Sequence, residues 1–258
     1  MIFVFDLDGT ISFCGRKIAP VIISELKKLE ELGHQIVFAS ARPIRDMLPL
    51  LQENFPHHFL IGGNGSIVFN AGKLEIVKPL DTDILFYLKK LISDYDLDHL
   101  VDSDWDYVLK NRNDKQANIN NKVDALGLAK NVSIESINAC IKCNLLNIPV
   151  NLYNEIITLL EMLDVTKIIH SDNYSIDIVA NGINKYETFI KYFGSSEYVA
   201  FGNDNNDIEL LSYAKYSISV GSNQKAKEAS DMNIDANDKS VASFLLSYIH
   251  SLTTLSKV

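Results

Sequence analysis

Four apolar residues, Ile2-Phe3-Val4-Phe5, run without a polar interruption straight into a carboxylate at Asp6. A strand with one wet face alternates polar and apolar residues, so an unbroken run of this kind belongs to a strand buried on both faces, as in a parallel sheet covered by helices. The residues that follow supply the crossovers such a sheet needs. Pro20 suits a helix's first turn, Ile22, Ile23, Leu26, Leu29 and Leu32 repeat at helical spacing, and Gly33 offers a left-handed stop. Gln35-Ile36-Val37-Phe38-Ala39 reads as a second buried strand ending at Ser40. Pro43 opens a helix carrying Ile44, Met47, Leu48 and Leu51, and Phe59-Leu60-Ile61 is a third short strand before Gly62-Gly63-Asn64-Gly65.

Local pairing then replaces crossovers. Ser66-Ile67-Val68-Phe69 and Leu74-Glu75-Ile76-Val77 flank Asn70-Ala71-Gly72-Lys73, which has the residues of a hairpin turn. Over 80–180, helices at 84–95 and 150–163 alternate with short strands such as Lys167-Ile168-Ile169-His170 and Ser175-Ile176-Asp177-Ile178-Val179, an α+β grammar. After Asn181-Gly182 the α/β pattern resumes with a helix over 185–193 and the strand Glu197-Tyr198-Val199-Ala200-Phe201. A helix containing Ile208, Leu210 and Leu211, the strand Tyr216-Ser217-Ile218-Ser219-Val220 and a last helix near 241–249 complete it. The expected architecture is α/β: a Rossmann-like parallel-sheet core assembled from 1–79 and 181–258, interrupted by an α+β cap at 80–180.

With 258 residues, 47% of them apolar, the chain has ample material for a packed core. The net charge of −9 is spread along the chain and no Lys/Arg-rich block appears, which excludes nucleic acid as the expected partner. Asp6 arrives too early for the apolar centre of a signal peptide, and no uncharged apolar run approaches the roughly 20 residues of a membrane span. A cytoplasmic protein without a membrane partner is expected. Cys14, Cys140 and Cys143 make an odd count, unlike a disulfide framework. Cys140 and Cys143 have CxxC spacing, but no second Cys/His pair completes a zinc site and the stretch alternates like a strand, so both read as packed thiols.

Ligands of an open parallel sheet bind beyond the carboxyl ends of its strands. Here those ends carry Asp6-Leu7-Asp8-Gly9-Thr10, then Ser40-Ala41-Arg42, then Gly202-Asn203-Asp204-Asn205-Asn206-Asp207, with Lys185 preceding the last. Two carboxylates facing one crevice repel unless a cation lies between them, and Mg2+ takes hard oxygens, one or two carboxylates and a substrate phosphate. With such an ion present, Asp6 can approach a phosphate dianion and form an acyl-phosphate, while Asp8 protonates the leaving alkoxide and later activates water. The Ser40 hydroxyl and Lys185 ammonium suit a phosphoryl group in transfer. Singly each residue has a plainer reading: Asp6 and Asp8 as turn formers, Asp204 and Asp207 as helix caps, Ser40 bonded to local backbone, Arg42 anchoring loops, Asn64 as a positive-φ turn residue.

Together they resemble the haloacid-dehalogenase-like superfamily, and within it the Cof-type phosphatases, over nearly the whole chain. Asp6-Leu7-Asp8-Gly9-Thr10 matches its first motif, Ser40 its second, Lys185 its third, and 202–207 its fourth, while Asn64-Gly65 matches the pair that precedes the cap. The resemblance implies Asp6 as nucleophile, Asp8 as acid/base, Ser40, Lys185 and Asn206 around the phosphate, and Asn64 toward the substrate. It implies Mg2+ as cofactor, held by Asp6, Asp8, Asn203 and Asp207, and a small phosphorylated metabolite, with a sugar phosphate as the favoured class, as substrate of a monomer or weak homodimer. Two positions depart from the pattern: Asn203 stands where the family has a metal-binding Asp, and Ser40-Ala41-Arg42 where it has Thr-Gly-Arg. A neutral ligand at 203 weakens metal binding unless Asp207 or Asp204 compensates. A phosphomutase or phosphotransferase would use the same residues, and a degenerate phospho-ligand-binding module is the reading that Asn203 keeps open.

Overall fold

The computed structural model describes residues 1–112, 123–170 and 173–255. In chain order, β1 (Ile2–Phe5), α1 (Pro20–Glu31), β2 (Gln35–Ala39), α2 (Ile44–Leu51) and β3 (Phe59–Gly62) make two crossover units, and β4 (Ile67–Asn70) and β5 (Lys73–Ile76) a hairpin. Next come α3 (Thr82–Asp94), β6 (Asp98–Asp102), β7 (Tyr107–Lys110), β8 (Lys142–Leu146), α4 (Val150–Glu161), β9 (Val165–His170) and β10 (Ser175–Ala180). The remainder is α5 (Lys185–Phe193), β11 (Tyr198–Gly202), α6 (Ile208–Ser212), β12 (Tyr216–Val220), α7 (Gln224–Glu228), β13 (Met232–Ile234) and α8 (Asp238–Leu255). Among the described residues, no helix is long and apolar enough to cross a membrane.

The first sheet has the order β13-β12-β11-β1-β2-β3-β4-β5, parallel from β13 to β3 and antiparallel at its β4 and β5 edge. The apolar run that opens the chain is its central strand. Phe3 and Phe5 face α1 and α8 through Ile22, Leu26, Val241 and Leu245, whereas Ile2 and Val4 face α5 and α6 through Phe189 and Leu210. Both faces are therefore dry, which is why β1 carries no alternation. Its neighbours come from opposite ends of the chain, β2 on one side and β11 on the other, so the crevice beyond β1 lies where the strand order reverses.

The second sheet, β7-β6-β8-β10-β9, is antiparallel throughout. One face packs on α3 and α4, with Val101, Cys143, Leu145, Ile176 and Ile178 against Leu88, Leu91, Ile156 and Leu160. The opposite face presents Asp102, Lys142 and Asp177, which are also buried. A buried polar face needs partners, and they come from the loop after β2 and from α2: Lys142 Nζ donates to Ala41 O at 2.7 Å and Arg45 Nη2 to Asp102 Oδ1 at 2.5 Å. Where the chain passes between the sheets, Val77 packs on Val179, Ala180 and Ile183, and Lys78 Nζ donates to Asn181 O at 2.9 Å. Cys140 and Cys143 are free, buried thiols, and burial pushes the Cys143 thiol up to about 12. That is the packed role their alternation implied.

Two differences from the sequence reading have simple causes. The last helix runs over Asp238–Leu255 rather than 241–249, because Asp238 and polar residues on its outer face continue the helix beyond its apolar stripe. The three-residue edge strand β13 is too short to leave a periodic signal.

Candidate active site

Because β1 and β11 are parallel neighbours with Phe5 opposite Phe201, the residues after each strand emerge side by side. Asp6 N donates to Phe201 O at 3.0 Å, so the first catalytic candidate begins where the 202–207 loop begins. Its side chain is buried, with the residue only 4% exposed. Gly9, at φ +82°, turns the chain back, and a Cβ there would run into the Asn203 amide nitrogen. Only glycine lets the two loops approach this closely.

Lys185 is the first residue of α5, whose start Asn184 caps by accepting from Glu187 N at 2.7 Å. That placement drives the lysine inward to full burial, where Nζ lies 2.7 Å from Asp6 Oδ1 and 2.7 Å from Asp207 Oδ1. The other oxygen of Asp207 accepts from the backbone N–H groups of Asn203 at 2.9 Å and Asp204 at 3.2 Å. Asp207 thus holds its own loop in shape and aligns the lysine. Burial opposes the charge on Lys185, yet Asp207 and Asp6 outweigh it and raise the ammonium well above its ordinary range. Burial pushes the Asp6 carboxyl up to about 7, against the pull of Lys185 and with the repulsion of Asp207 and Asp8 added. One ammonium between two carboxylates leaves a negative charge uncompensated.

Asp8 differs from expectation. Its carboxylate is not left facing Asp6 without a partner but pairs with Arg42, Nε to Oδ2 at 2.5 Å and Nη2 to Oδ1 at 2.7 Å. The cation that relieves the repulsion at this position is the guanidinium, which also donates to Gly15 O at 2.7 Å and so ties the loop after β2 to two points of the loop after β1. What Asp8 turns to the centre is its peptide carbonyl. The inner atom of the Asn203 amide stands 3.1 Å from Asp8 O and 3.1 Å from Asp6 Oδ2, and the Thr10 hydroxyl, 3.2 Å away, donates to Asp6 Oδ2 at 2.9 Å. With its oxygen inward, Asn203 completes a triangle of three oxygens; with the amide turned, its N–H groups reach the same acceptors.

The remaining candidates form a chain beside this centre. Asn206 Nδ2 donates to Asn64 Oδ1 at 2.8 Å, Asn64 N to Ser40 O at 3.0 Å, and Asn64 Nδ2 to Asp177 Oδ2 at 3.4 Å on the second sheet. Asn64 is held at φ 58°, the left-handed conformation anticipated for it. The Ser40 hydroxyl oxygen accepts from Arg42 N at 3.2 Å, the local backbone bond typical of a strand-end serine. Asp6, Lys185, Asn203 and Asp207 are therefore in direct contact, with Ser40, Asn64 and Asn206 at their flank. Thr10 was missed as a site residue although it lies within the first motif. Asp177, Lys142 and the Arg45–Asp102 pair were missed because nothing local marks a contact made across the chain.

A family profile described as haloacid dehalogenase-like hydrolase matches residues 3–245. The chain belongs to this family. As a haloacid dehalogenase-like hydrolase it shares its fold with a solved structure described as a subclass IIB sugar phosphatase of the superfamily, at TM-score 0.80 and 20% identity, covering 96% of this chain and 98% of that one. The Cof-type resemblance is borne out at that level. A Bacillus subtilis 5-amino-6-(5-phospho-D-ribitylamino)uracil phosphatase is 21% identical over 96% of this chain and 97% of its own length. A Yersinia pestis HMP-PP phosphatase is 34% identical over 67 residues, a match that spans 24% of that relative's length.

The donor set decides whether this hydrolase's residues fit the magnesium ion that the family implies. Among the described residues, no three His, Cys, Asp or Glu side chains group as a metal cluster. Asp6 Oδ2, Asp8 O and Asn203 Oδ1 are nevertheless all hard oxygens, and Asn203 Oδ1 lies 3.1 Å from each of the other two. Metal–oxygen bonds of 2.0–2.1 Å at right angles give an octahedral edge of about 3.0 Å, so the set fits Mg2+ with one carboxylate and two neutral ligands. The Asp8 carboxylate and Asp207, also expected as ligands, are directed elsewhere, to Arg42 and to Lys185 with the loop backbone.

Proposed function

We propose that this chain is a magnesium-dependent phosphatase that hydrolyses small phosphorylated metabolites, with sugar phosphates as the favoured class, through an aspartyl-phosphate on Asp6. The observation that carries the reading is the division of the Asp6 carboxylate: Lys185 fixes Oδ1, and Oδ2 faces the peptide oxygen of Asp8 and the amide of Asn203. Bound at those oxygens, magnesium would supply the positive charge that lets a phosphate dianion approach an anionic nucleophile. An oxygen of Asp6 bonds to phosphorus as the ester P–O bond breaks, and the departing alkoxide takes a proton from Asp8. Water then attacks phosphorus with Asp8 as base, releasing phosphate and restoring Asp6. Lys185, the Ser40 hydroxyl and the Asn206 amide supply the positive charge and donors that a phosphoryl group needs in transfer. Arg42 holds Asp8 in place at the rim, where its side chain is 37% exposed.

Residues 80–180 act in this reading as the cap that selects substrate. A cavity of 310 Å³ lies between β9 and the core loops, lined by the uncharged polar groups of Asn64, Asn184, Asn206 and Thr166 and by the charged Lys167, Lys225 and Glu209, a mixture suited to hydroxyls and anionic groups. Asn64 and Asn206 connect this cavity to the loops around Asp6, and in this reading closure of the cap over bound substrate excludes water. The relatives matched by sequence are named as phosphatases, which favours hydrolysis over transfer. A screen of phosphorylated sugars, nucleotides and cofactors with magnesium, beside Asp6→Asn, tests the proposal. Phosphate release is expected from the native chain alone. Undiminished release by the variant removes the mechanism, an isomeric sugar phosphate as product makes the chain a mutase, and ligand binding without turnover at saturating magnesium leaves a binding module.

A further inference from the structure

The Asn203 amide can present either a donor or an acceptor to the centre by rotating about its last bond. A carboxylate at this position would place two like charges 3.1 Å apart over an already negative site, stable only while a cation separates them. The amide has no such requirement. Rotated by half a turn about its last bond, it exchanges oxygen for nitrogen at the same place, and its N–H groups then lie 3.1 Å from Asp6 Oδ2 and 3.1 Å from Asp8 O. The backbone of the loop is unaffected, because Asn203 N is fixed on Asp207 Oδ2 at 2.9 Å.

We propose that the Asn203 side chain is a built-in substitute for the cation, turning its nitrogen inward when the site is metal-free and its oxygen inward when magnesium binds. The inference rests on the magnesium site of the preceding reading and assigns this chain's departure from the family pattern a role. In the metal-free state the amide bonds directly to the nucleophile's Oδ2 and to Asp8 O, engaging the two oxygens that the ion would otherwise share, so the site is closed and inert. Magnesium must displace those hydrogen bonds to enter, which lowers its apparent affinity and makes occupancy follow the free ion concentration. The substitution also removes the repulsion that would strain a metal-free site, so this protein keeps its fold without the ion.

The test uses MgCl2 and the full chain in two measurements. Titration calorimetry compares the native protein with Asn203→Asp, a near-isosteric change that restores a charge. The variant is expected to bind magnesium at least tenfold more tightly, because ligand charge sets affinity, and to melt at a lower temperature than the native chain when metal-free. Independently of any variant, the side-chain amide resonances of Asn203 in the native protein are expected to be protected from solvent exchange without metal and to shift and lose protection as magnesium is added. Magnesium binding that leaves those resonances unchanged, or equal affinity and equal metal-free melting in the two chains, overturns the switch alone. Binding of magnesium by neither chain overturns both the switch and the magnesium-dependent reading beneath it.

Discussion

Two places in this molecule bury one cation between two carboxylates, and they are built differently. At the strand ends, Lys185, at the start of α5, sits 2.7 Å from both Asp6 and Asp207, which follow β1 and β11. Between the sheets, Arg45 sits 2.5 Å from Asp102 on β6 and 3.5 Å from its neighbour Asp46 on α2. In the first cluster the carboxylates are further bonded to Thr10 and to the backbone of Asn203 and Asp204. In the second, Arg45 Nε and Asp102 Oδ2 have no hydrogen-bond partner among the described residues. Buried charge of this kind is costly unless every group is satisfied. The fully bonded cluster is a preorganised centre, and the incompletely bonded one, where Lys142 Nζ also lies 3.9 Å from Asp102 Oδ2, is a latch that ties the second sheet to α2.

Lys185→Met should produce the largest effect. It strands Asp6 and Asp207 without a cation in a place that cannot open to water, and a loss of about 3–5 kcal/mol is expected in denaturant unfolding, with phosphate release abolished. Arg45→Met should cost less, about 2 kcal/mol, because the sheets can part and hydrate Asp102. Adding Asp102→Leu to that variant should restore most of the loss, while turnover and KM shift together as the latch disappears. Equal losses for the two single variants would erase the distinction between centre and latch.

The pH dependence of the latch is a finer probe. Burial pushes the Asp46 carboxyl up to about 6, with Arg45 opposing and Asp102 adding to the rise. The native state therefore holds the proton more tightly than the unfolded chain, and the associated stability is present below pH 4 and lost as pH rises through 6. Asp46→Asn should flatten that slope, a difference of about 1–3 kcal/mol between pH 4 and 7 in paired melting curves. Smallest of all, Thr10→Val removes one hydrogen bond to Asp6 Oδ2 and should cost about 1 kcal/mol.

The same contrast explains what was legible before the fold was known. The centre is written in short stretches at strand ends: an apolar run announces β1, and Asp6, Lys185, Asn203 and Asp207 follow recognisable turns, so their convergence could be read from the order of elements. Side-chain direction could not. Asp8 looks inward on paper, and its carboxylate is turned aside by Arg42, 34 residues away. The latch left no mark at all, since Arg45 meets Asp102 across 57 residues and only the docking of the second sheet makes them neighbours. Lys142 and Asp177 alternate with apolar residues as any half-wet strand would, and the wet face proves to be covered.

The central claim is that Asp6 carries the phosphoryl group. In Asp8→Asn the intermediate lacks the base that breaks it down, and p-nitrophenyl phosphate, whose leaving group needs no proton, should still form it. Borohydride quenching of that mixture, with magnesium present, should reduce the acyl-phosphate and convert residue 6 to homoserine, detected by mass spectrometry of the N-terminal peptide and absent when Asp6→Asn is added. An unmodified Asp6 while nitrophenol is being released, or modification at another carboxylate, would contradict the account.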